Sequence, residues 1–349
     1  MQIGCVQLLE FRNYRTLSYR PEARINLLTG RNAQGKTNLL EALAVLLTGR
    51  SFRTSRLGDL PRWGADSAVL SGDLQRSEGV RAVRRTIQRN DGGTWQASGE
   101  TCPWARVIVF GWQDLAILHG APVARRMFID GFAARLYTSH VPALLRYRRL
   151  LEQRNRLLQS RAPAERLAPW DEQVATLGME LIDRRRRAVA ALQTEIARVY
   201  PAVSGARHKV QVSYRSVVGE ATEPAALVAA LGQARAVELR RGQTLVGPHR
   251  DDLAIELDGV DARAFGSRGQ QRLLALALRL AEVWPVADAA GTSPVLLLDD
   301  ALSELDPEVR GNVLREIQGA EQVFLTSPET LEVGGAARWV VDGGGIVAA

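Results

Sequence analysis

Residues 30 to 37 have the types and spacing that bind phosphate groups. They match the pattern G-x-x-x-x-G-K-[ST] at every fixed position, with an apolar segment before them and a helical pattern after them. Glycines let backbone N–H groups turn inward onto phosphate oxygens, the Lys36 ammonium bridges the β- and γ-phosphates, and the Thr37 hydroxyl ligates Mg²⁺. The sequence therefore predicts ATP and Mg²⁺ as ligands. The expected nucleotide contacts are Gly30, Arg31, Asn32, Ala33, Gln34, Gly35, Lys36 and Thr37.

Two acidic residues follow a short apolar segment in the C-terminal part of the chain. Residues 294–298 are apolar and lead directly into Asp299 and Asp300. In P-loop proteins a carboxylate at such a strand tip holds Mg²⁺, and Asp299 fits that role. Successive side chains of a strand point to opposite faces, so Asp300 is left as the catalytic group that orients the attacking water. The alternative interpretation is an acidic pair that caps the next helix.

A Ser-x-Gly-Gln segment begins an apolar helix at Ser267. A serine hydroxyl and backbone N–H groups at a helix N-terminus can contact a γ-phosphate, although a lone match of this kind is most often an ordinary helix cap. Its order in the chain, after the P-loop and before the acid pair and Ser303-Glu-Leu-Asp306, is similar to that of ABC-type ATPases. In that class the serine of one subunit closes the nucleotide site of the other. This similarity predicts further nucleotide contacts from Ser267, Gly269 and Gln270.

The elements that must position these groups form an α/β pattern with a helical insertion. Short apolar segments predict buried strands, and leucines at helical spacing between residues 144 and 199 predict a helical hairpin. At about 1.5 Å per residue, an arm of roughly 60 residues extends only some 45 Å out and back. We predict an α/β fold, an ABC-type P-loop ATPase head with an inserted helical arm domain. The expected divisions are 1–121 for the N-terminal half of the head, 122–236 for the arm and 237–349 for the C-terminal half.

Composition excludes several other classes of protein. The 349 residues are 46% hydrophobic and 24% charged, which is typical of globular chains and suggests two or three domains. Two cysteines are too few for a disulfide scaffold or a structural zinc cluster. No apolar stretch approaches the roughly 18 residues of a membrane span, and the first residues lack a signal-peptide pattern, so we expect a cytoplasmic protein without membrane contact. The formal net charge of +7 permits binding to a polyanion.

Over nearly its whole length the sequence resembles the RecF family of bacterial DNA replication and repair proteins, relatives of the structural-maintenance-of-chromosomes heads. The P-loop, the Ser267 segment and Leu298-Asp-Asp-Ala-Leu-Ser-Glu-Leu-Asp are similar to the wider superfamily. Gly-Pro-His-Arg-Asp-Asp at 247–252 and Tyr-Arg-Arg-Leu-Leu-Glu-Gln-Arg-Asn at 147–155 are similar to the RecF family specifically. The short arm also agrees with this family.

The resemblance implies a slow, DNA-dependent ATPase that acts as a switch. It implies an ATP-dependent homodimer that binds single-stranded DNA, double-stranded DNA and junctions. Together with the RecR and RecO mediator proteins, it would help to load recombinase at gaps and would support the SOS response. By the same resemblance, Gln113 is a candidate Mg²⁺ contact and Arg53 a candidate link between DNA and nucleotide. Asp300 stands where most ABC ATPases have glutamate, and Ala33 where the family commonly has glycine.

Two other functions compete with this one. The ATPase subunit of a membrane transporter has the same order of motifs, but such subunits usually have a tighter Leu-Ser-Gly-Gly-Gln segment and a switch histidine. A P-loop kinase would have no use for the Ser267 segment or for the residues that follow Asp300. ATP-dependent dimers that bind DNA without membranes would fit only the DNA-binding ATPase.

Overall fold

The computed structural model describes residues 1–22, 24–76, 78–100 and 102–349. Its strands are β1 (Gln2–Phe11), β2 (Tyr14–Tyr19), β3 (Ile25–Thr29), β4 (Ser67–Arg76), β5 (Gly79–Arg89), β6 (Trp95–Gly99), β7 (Val107–Phe110), β8 (Val210–Arg215), β9 (Asp252–Leu257), β10 (Val260–Asp261), β11 (Val295–Leu298), β12 (Gln322–Ser327), β13 (Ala336–Asp342) and β14 (Gly345–Ala348). Its α-helices are α1 (Lys36–Thr48), α2 (Ala116–His119), α3 (Pro122–Leu136), α4 (His140–Gln159), α5 (Ala164–Ser204), α6 (Pro224–Arg241), α7 (Ala262–Phe265), α8 (Arg268–Leu280), α9 (Val283–Ala290) and α10 (Pro307–Glu316).

The chain divides into two compact units. The first consists of Met1–Leu115, Val199–Ala206 and Arg272–Ala349, and the second of Ala116–Arg198 and Arg207–Gln271. The second unit is therefore an insertion into the first.

The first unit contains a six-stranded sheet in the order β14-β13-β3-β12-β11-β7. Strands β13, β3, β12, β11 and β7 are parallel, and β14 runs antiparallel at one edge. Parallel strands are usually covered on both faces, and β3, β11 and β12 are buried at every residue. This arrangement brings the carboxyl ends of β3 and β11, which precede the P-loop and the acid pair, to one edge of the sheet.

A five-stranded antiparallel sheet, in the order β2-β1-β4-β5-β6, forms the other layer of this unit. Helix α1 packs against strands of both sheets, which explains why it is apolar on nearly all sides. Gly49 ends α1 in the left-handed region at φ 72°, and its N–H donates to the Val45 carbonyl at 2.8 Å.

The second unit combines the helical arm with a small antiparallel sheet in the order β10-β9-β8. Val174, Leu177 and Leu181 of α5 lie in its apolar core together with Tyr147. Its interior also holds charged groups. Arg154 is fully buried and donates to Asp171 and Glu238, each at 2.7 Å.

Two boundaries differ from the sequence prediction. The arm unit continues to Gln271 instead of ending at residue 236, because β9 pairs with β8 along its whole length. Helix α5 runs to Ser204, past Pro201, where the pattern predicts its end. Tyr200 and Val203 are buried in the first unit, and this packing sustains the last turn until Gly205 at φ 67° ends it.

Candidate nucleotide-binding site

The P-loop between β3 and α1 depends on two glycines. Gly30 and Gly35 have φ angles of 147° and 119°, which side chains rarely adopt. A Cβ on Gly30 would lie 2.3 Å from the Val341 carbonyl oxygen, and one on Gly35 would lie 2.5 Å from the Asn13 amide nitrogen. Ala33 also has a positive φ, 68°, although it is not a glycine and carries a Cβ. The loop conformation therefore requires glycine at both fixed positions and carries strain at Ala33.

Groups from distant parts of the first unit hold the P-loop backbone in place. The Tyr14 hydroxyl donates to the Gly35 carbonyl and the Asn13 amide to the Gln34 carbonyl, both at 2.9 Å. In the turn between β13 and β14, the Gly343 N–H donates to the Gln34 side-chain oxygen at 2.7 Å. Because these contacts fix Gln34, its side chain supports the loop instead of lining the phosphate cleft.

Lys36 lies near the end of the P-loop, and its side chain folds back against the loop backbone. Its ammonium donates to the carbonyls of Gly30 and Arg31, at 2.5 and 2.9 Å. Burial lowers the pKa of Lys36, and the nearby carboxylates of Asp299 and Asp300 oppose that shift. The ammonium is therefore held within the curve of the P-loop, where a bound phosphate would meet it.

Thr37 and Asp299 meet at the carboxyl edge of the sheet. The Thr37 hydroxyl lies 2.9 Å from both carboxylate oxygens of Asp299, and the Thr326 hydroxyl donates to one of them at 2.8 Å. Burial raises the pKa of Asp299, and these two hydroxyl groups oppose the shift. A threonine hydroxyl and a carboxylate are hard oxygen ligands, so this pair fits Mg²⁺.

Asp300, the second acid of the pair, also borders the cleft. Its φ of 52° is unusual for a residue with a side chain, and its backbone N–H donates to the Thr326 hydroxyl at 2.9 Å. The Ser303 hydroxyl donates to the Asp300 carboxylate, which is exposed, and the Arg272 guanidinium donates to the Asp300 carbonyl at 2.7 Å. The two carboxylates thus have different hydrogen-bond partners, although Thr326 contacts both residues.

These groups border a cleft of about 500 Å³. The cleft brings together seven of the predicted residues: Asn32, Ala33, Gly35, Lys36, Thr37, Asp299 and Asp300. Gly30 and Arg31 contribute through carbonyls that Lys36 contacts. Sequence reasoning assigned no nucleotide contact to several other residues of its lining: Asn38, Phe110, Trp112, Leu115, Arg272, Thr326 and Pro328. Of these, Asn38 directly follows the P-loop and Arg272 lies two residues after the Ser267 segment.

Gln113 does not line this cleft in the part of the chain that the structure describes. The neighbouring Asp114 is buried and accepts from the Gly111 N–H at 2.9 Å and from Arg279 at 2.6 Å, which folds the chain into a tight turn after β7. The Gln113 amide lies over Gly111, where an added Cβ would be 2.8 Å from its oxygen. The exposed Trp112 borders the cleft instead.

Ser267, Gly269 and Gln270 belong to the second unit, and the first two are exposed. The Ser267 N–H donates to the Gln270 side-chain oxygen at 2.9 Å, and the Ser267 hydroxyl accepts from the Gln270 N–H at 3.3 Å. This reciprocal pair is a capping box, which stabilises the start of α8. The segment therefore caps a helix and also leaves the serine hydroxyl and the glycine accessible from outside.

The buried carboxylate of Glu41 lies beside the cleft and accepts hydrogen bonds from two arginines. Glu41 of α1 is fully buried and accepts two hydrogen bonds from Arg12, at 2.7 and 2.8 Å. Ser51 donates to it at 2.5 Å, and Arg53 donates at 3.2 Å. Arg53 also donates to Asn38, next to Thr37, at 2.7 Å. This network holds Arg53 at the margin of the nucleotide cleft.

Comparison with known proteins agrees with this geometry. The family model described as the RecF/RecN/SMC N terminal domain matches residues 2–337. DNA replication and repair protein RecF of Synechococcus sp. (strain JA-3-3Ab) is 37% identical over 346 residues, which cover 94% of this chain and 91% of that protein. Its counterpart in Desulforudis audaxviator (strain MP104C) is also 37% identical, over 99% of both chains. The chain belongs to the RecF family.

Solved structures place the RecF-family fold among ABC-type ATPase heads, as the sequence predicts. A structure of the recombination mediator protein RecF-ATP in the RecFOR pathway covers 100% of this chain and 99% of its own, with a TM-score of 0.89 and 26% identity. An Smc head domain from Pyrococcus furiosus matches with a TM-score of 0.57 at 16% identity, which concerns the fold alone. Among the described residues, no helix is long and apolar enough to cross a membrane.

Proposed function

We propose that this RecF-family chain binds ATP and Mg²⁺ in the cleft beside the P-loop and uses them to switch DNA binding in replication and repair. The observation that carries the proposal is the meeting of Thr37 and Asp299, whose side-chain oxygens lie 2.9 Å apart. Mg²⁺ usually binds through one or two such side chains together with substrate phosphates and water. When bound there, it would neutralise charge on the β- and γ-phosphates.

The chain's own residues would bind and orient the nucleotide. The Lys36 ammonium would exchange the Gly30 and Arg31 carbonyls for phosphate oxygens, and the P-loop N–H groups would donate to the same phosphates. Asp300 would orient the attacking water, with its carboxylate held by the Ser303 hydroxyl. An aspartate is one methylene shorter than a glutamate, so we expect slow, DNA-dependent hydrolysis suited to a timed switch.

Ser267 supports the dimer part of the proposal. The exposed serine and Gly269 begin α8, whose N-terminal dipole favours an anion. In an ATP-dependent homodimer, Ser267 of the partner subunit, with Gly269 and Gln270, would close the site that the P-loop opens. Ser267→Arg should still bind ATP but should not dimerise, because the bulky cation occupies the docking position. ATP-dependent dimers of this variant in analytical ultracentrifugation would contradict the proposal.

Lys36→Arg tests whether the P-loop binds the nucleotide. It conserves charge, but the planar guanidinium does not replace a compact ammonium within the P-loop. We expect a folded protein that loses tight ATP binding and therefore also loses the ATP-dependent dimer. Normal ATP affinity in this variant would contradict the assignment of the nucleotide site.

The names of the relatives support DNA as the ligand that the switch controls. We propose that the chain binds single-stranded DNA, double-stranded DNA and junctions in the cytoplasm. There it would work with RecR and RecO to load recombinase at gaps and would support the SOS response. The net charge of +7 is compatible with contacts to the phosphate backbone of DNA. Six arginine–phosphate contacts would give a log–log dependence of affinity on salt with a slope of about −5. A flat salt response would contradict binding through phosphates.

A further inference from the structure

Trp63 is the most exposed large hydrophobic side chain of the residues that the structure describes, at 96%. It lies in the turn between Pro61 and β4, where Gly64 has a φ of 84°. The Ala65 N–H donates to the Arg62 carbonyl at 2.9 Å and closes the turn. A bare indole on a closed turn is an unusual feature for a protein surface, because tryptophan carries a large apolar area.

Backbone hydrogen bonds fix the segment that carries Trp63. The Arg62 N–H donates to the Glu10 carbonyl at 2.7 Å, and the Arg12 N–H donates to the Leu60 carbonyl at 2.9 Å. At the other end, the Arg89 N–H donates to the Asp66 carbonyl at 2.9 Å. The indole therefore projects from a rigid base, so that stacking a flat ligand on it would cost little ordering entropy.

Trp63 borders a second cleft, with a volume of about 1080 Å³. Trp95, which is paired with Arg89 across β5 and β6, forms another part of its wall. The Trp95 ring lies against Gly58, where an added Cβ would be 2.6 Å from the indole nitrogen. Asn38 and Arg53 border both this cleft and the nucleotide cleft. The second cleft therefore adjoins the nucleotide site.

The lining favours a nucleobase over a protein partner. The core of a protein interface is apolar and depleted in charged residues, whereas this cleft surrounds its two indoles with polar and charged groups. Those groups are Arg12, Asn13, Asn38, Arg53, Asp59, Arg62, Asp66 and Arg89. A base has an apolar face and a polar edge, which matches an indole beside amide, guanidinium and carboxylate groups.

The charges of the cleft are nearly balanced. Glu41 accepts from both Arg12 and Arg53, and Glu10 accepts from Arg62. Asp59 and Asp66 also border the cleft. Attraction of phosphates is therefore a minor contribution at this place, and ring stacking is the interaction that the cleft offers.

We propose that Trp63 is a stacking platform for an unpaired base of the DNA strand that the chain binds, an inference that rests on the DNA binding proposed above. In a closed duplex each base face is covered by its neighbours. Only an unpaired base presents a free face to the exposed indole. The cleft thus distinguishes single-stranded from fully duplex DNA without reading sequence.

The test compares Trp63→Ala and Trp63→Phe with the wild-type protein on two probes, in the presence of ATP and Mg²⁺. The probes are an oligodeoxynucleotide of about 20 residues and a relaxed, covalently closed circular duplex, which has no ends or unpaired bases. Trp284→Ala is the matched control, since Trp284 is 47% exposed on α9 and borders neither cleft in the part of the chain described.

We expect Trp63→Ala to lower affinity for the single strand by roughly 5- to 150-fold and to leave affinity for the circle unchanged. Trp63→Phe should restore most of the loss, and Trp284→Ala should behave as wild type. Because stacking is not electrostatic, the ratio of wild-type to Trp63→Ala affinity should stay constant between about 50 and 200 mM salt, while both affinities fall.

Equal losses on the two probes, no loss on the single strand, or a ratio that falls with salt would each overturn the inference. Trp63→Ala that binds DNA normally but loses a protein partner would overturn it in favour of a protein docking site. If the wild-type protein binds neither probe, the proposed DNA binding itself fails. If it binds both and Trp63→Ala does the same, only the role of Trp63 fails.

Discussion

Replacing Asp299 by asparagine should change stability and ligand binding in opposite directions. Asp299 is a buried carboxylate whose pKa is raised by burial, so its charge opposes folding when no metal ion is present. Asparagine has nearly the same volume, and its side-chain oxygen can still accept from the Thr37 and Thr326 hydroxyls. We expect the ligand-free variant to be more stable than the wild-type protein and to lose Mg²⁺-dependent ATP binding.

The expected sizes follow from burial and from mass action. Removing the buried charge while keeping the hydrogen bonds should stabilise the ligand-free protein by about 1 kcal/mol, or roughly 2–4 °C in Tm for a unit of this size. Saturating ligand at about 100 times its Kd should stabilise the wild-type protein by about 2.7 kcal/mol. That corresponds to roughly 5–11 °C, and the Mg²⁺-dependent part of it should be absent from the variant.

The pH dependence of stability supplies an independent check on the role of the Asp299 charge. A carboxyl group whose pKa is raised on folding destabilises the native state above that pKa and has no effect below its unfolded value of 3.8. The stability advantage of Asp299→Asn should therefore be largest at neutral pH and should shrink as the pH falls towards 3.8. Thermal unfolding without ligand measures the stability difference and its pH dependence. Thermal unfolding with ATP and EDTA, compared with ATP and Mg²⁺, measures the Mg²⁺-dependent shift in Tm.

Asp300→Asn is the matched control, because it removes a neighbouring charge that is exposed and accepts from the Ser303 hydroxyl. It should keep the Mg²⁺-dependent shift in Tm. If Asp299→Asn keeps that shift, if the ligand-free variant is clearly less stable than the wild-type protein, or if Asp300→Asn alone loses the shift, the assigned roles are wrong.

Three further substitutions test the site and its support. Asp300→Asn should slow single-turnover ATP hydrolysis by about 10²–10⁴-fold with ATP·Mg²⁺ still bound, and hydrolysis at the wild-type rate would exclude Asp300 as the base. Ala33→Gly should stabilise the ligand-free protein by up to about 1 kcal/mol, because it relieves the φ of 68°; a lower Tm would show that no strain is stored there. Glu41→Gln should cost about 2–4 kcal/mol, since Arg12 and Arg53 lose a shared buried counter-charge, and an unchanged urea midpoint would contradict this.

The positions of the candidate site residues in the first unit could be predicted because their proposed chemistry restricts residue type and spacing. Only glycine fits at Gly30 and Gly35, and the strand that ends at Leu298 delivers Asp299 to the same sheet edge as Thr37. Among the described residues Gln113 lies outside the cleft lining for a physical reason, since the buried Asp114 sets a turn that carries the glutamine amide over Gly111. No pattern in the sequence indicates which of these neighbouring polar residues will be the buried one.

Burial of arginine is the part that the sequence could not predict. Arg125, Arg154 and Arg185 are the largest fully buried side chains of the described residues, yet in an arginine-rich chain they look like any surface arginine. Arg125 forms an ion pair with Asp252, and Arg185 forms one with Asp130. The partners of each pair are far apart in sequence. The pairing of β8 with β9 across α6 is equally non-local, which explains why the arm unit extends beyond the predicted boundary.

The support of the P-loop by the β13–β14 turn has a consequence for biosynthesis. The Gly343 N–H and the Gln34 side chain are 309 residues apart, and both neighbours of β3 in the sheet, β12 and β13, are translated after the whole arm. At about 5–20 residues per second, roughly 15 to 60 s separate synthesis of the motif from synthesis of its support. During that interval α1 can pack on β1, β4, β5 and β7 but not on β11 and β12, so part of its apolar surface is uncovered. A nascent chain therefore displays the complete phosphate-binding motif long before the elements that support it are synthesised, and chaperones have that interval in which to act on it.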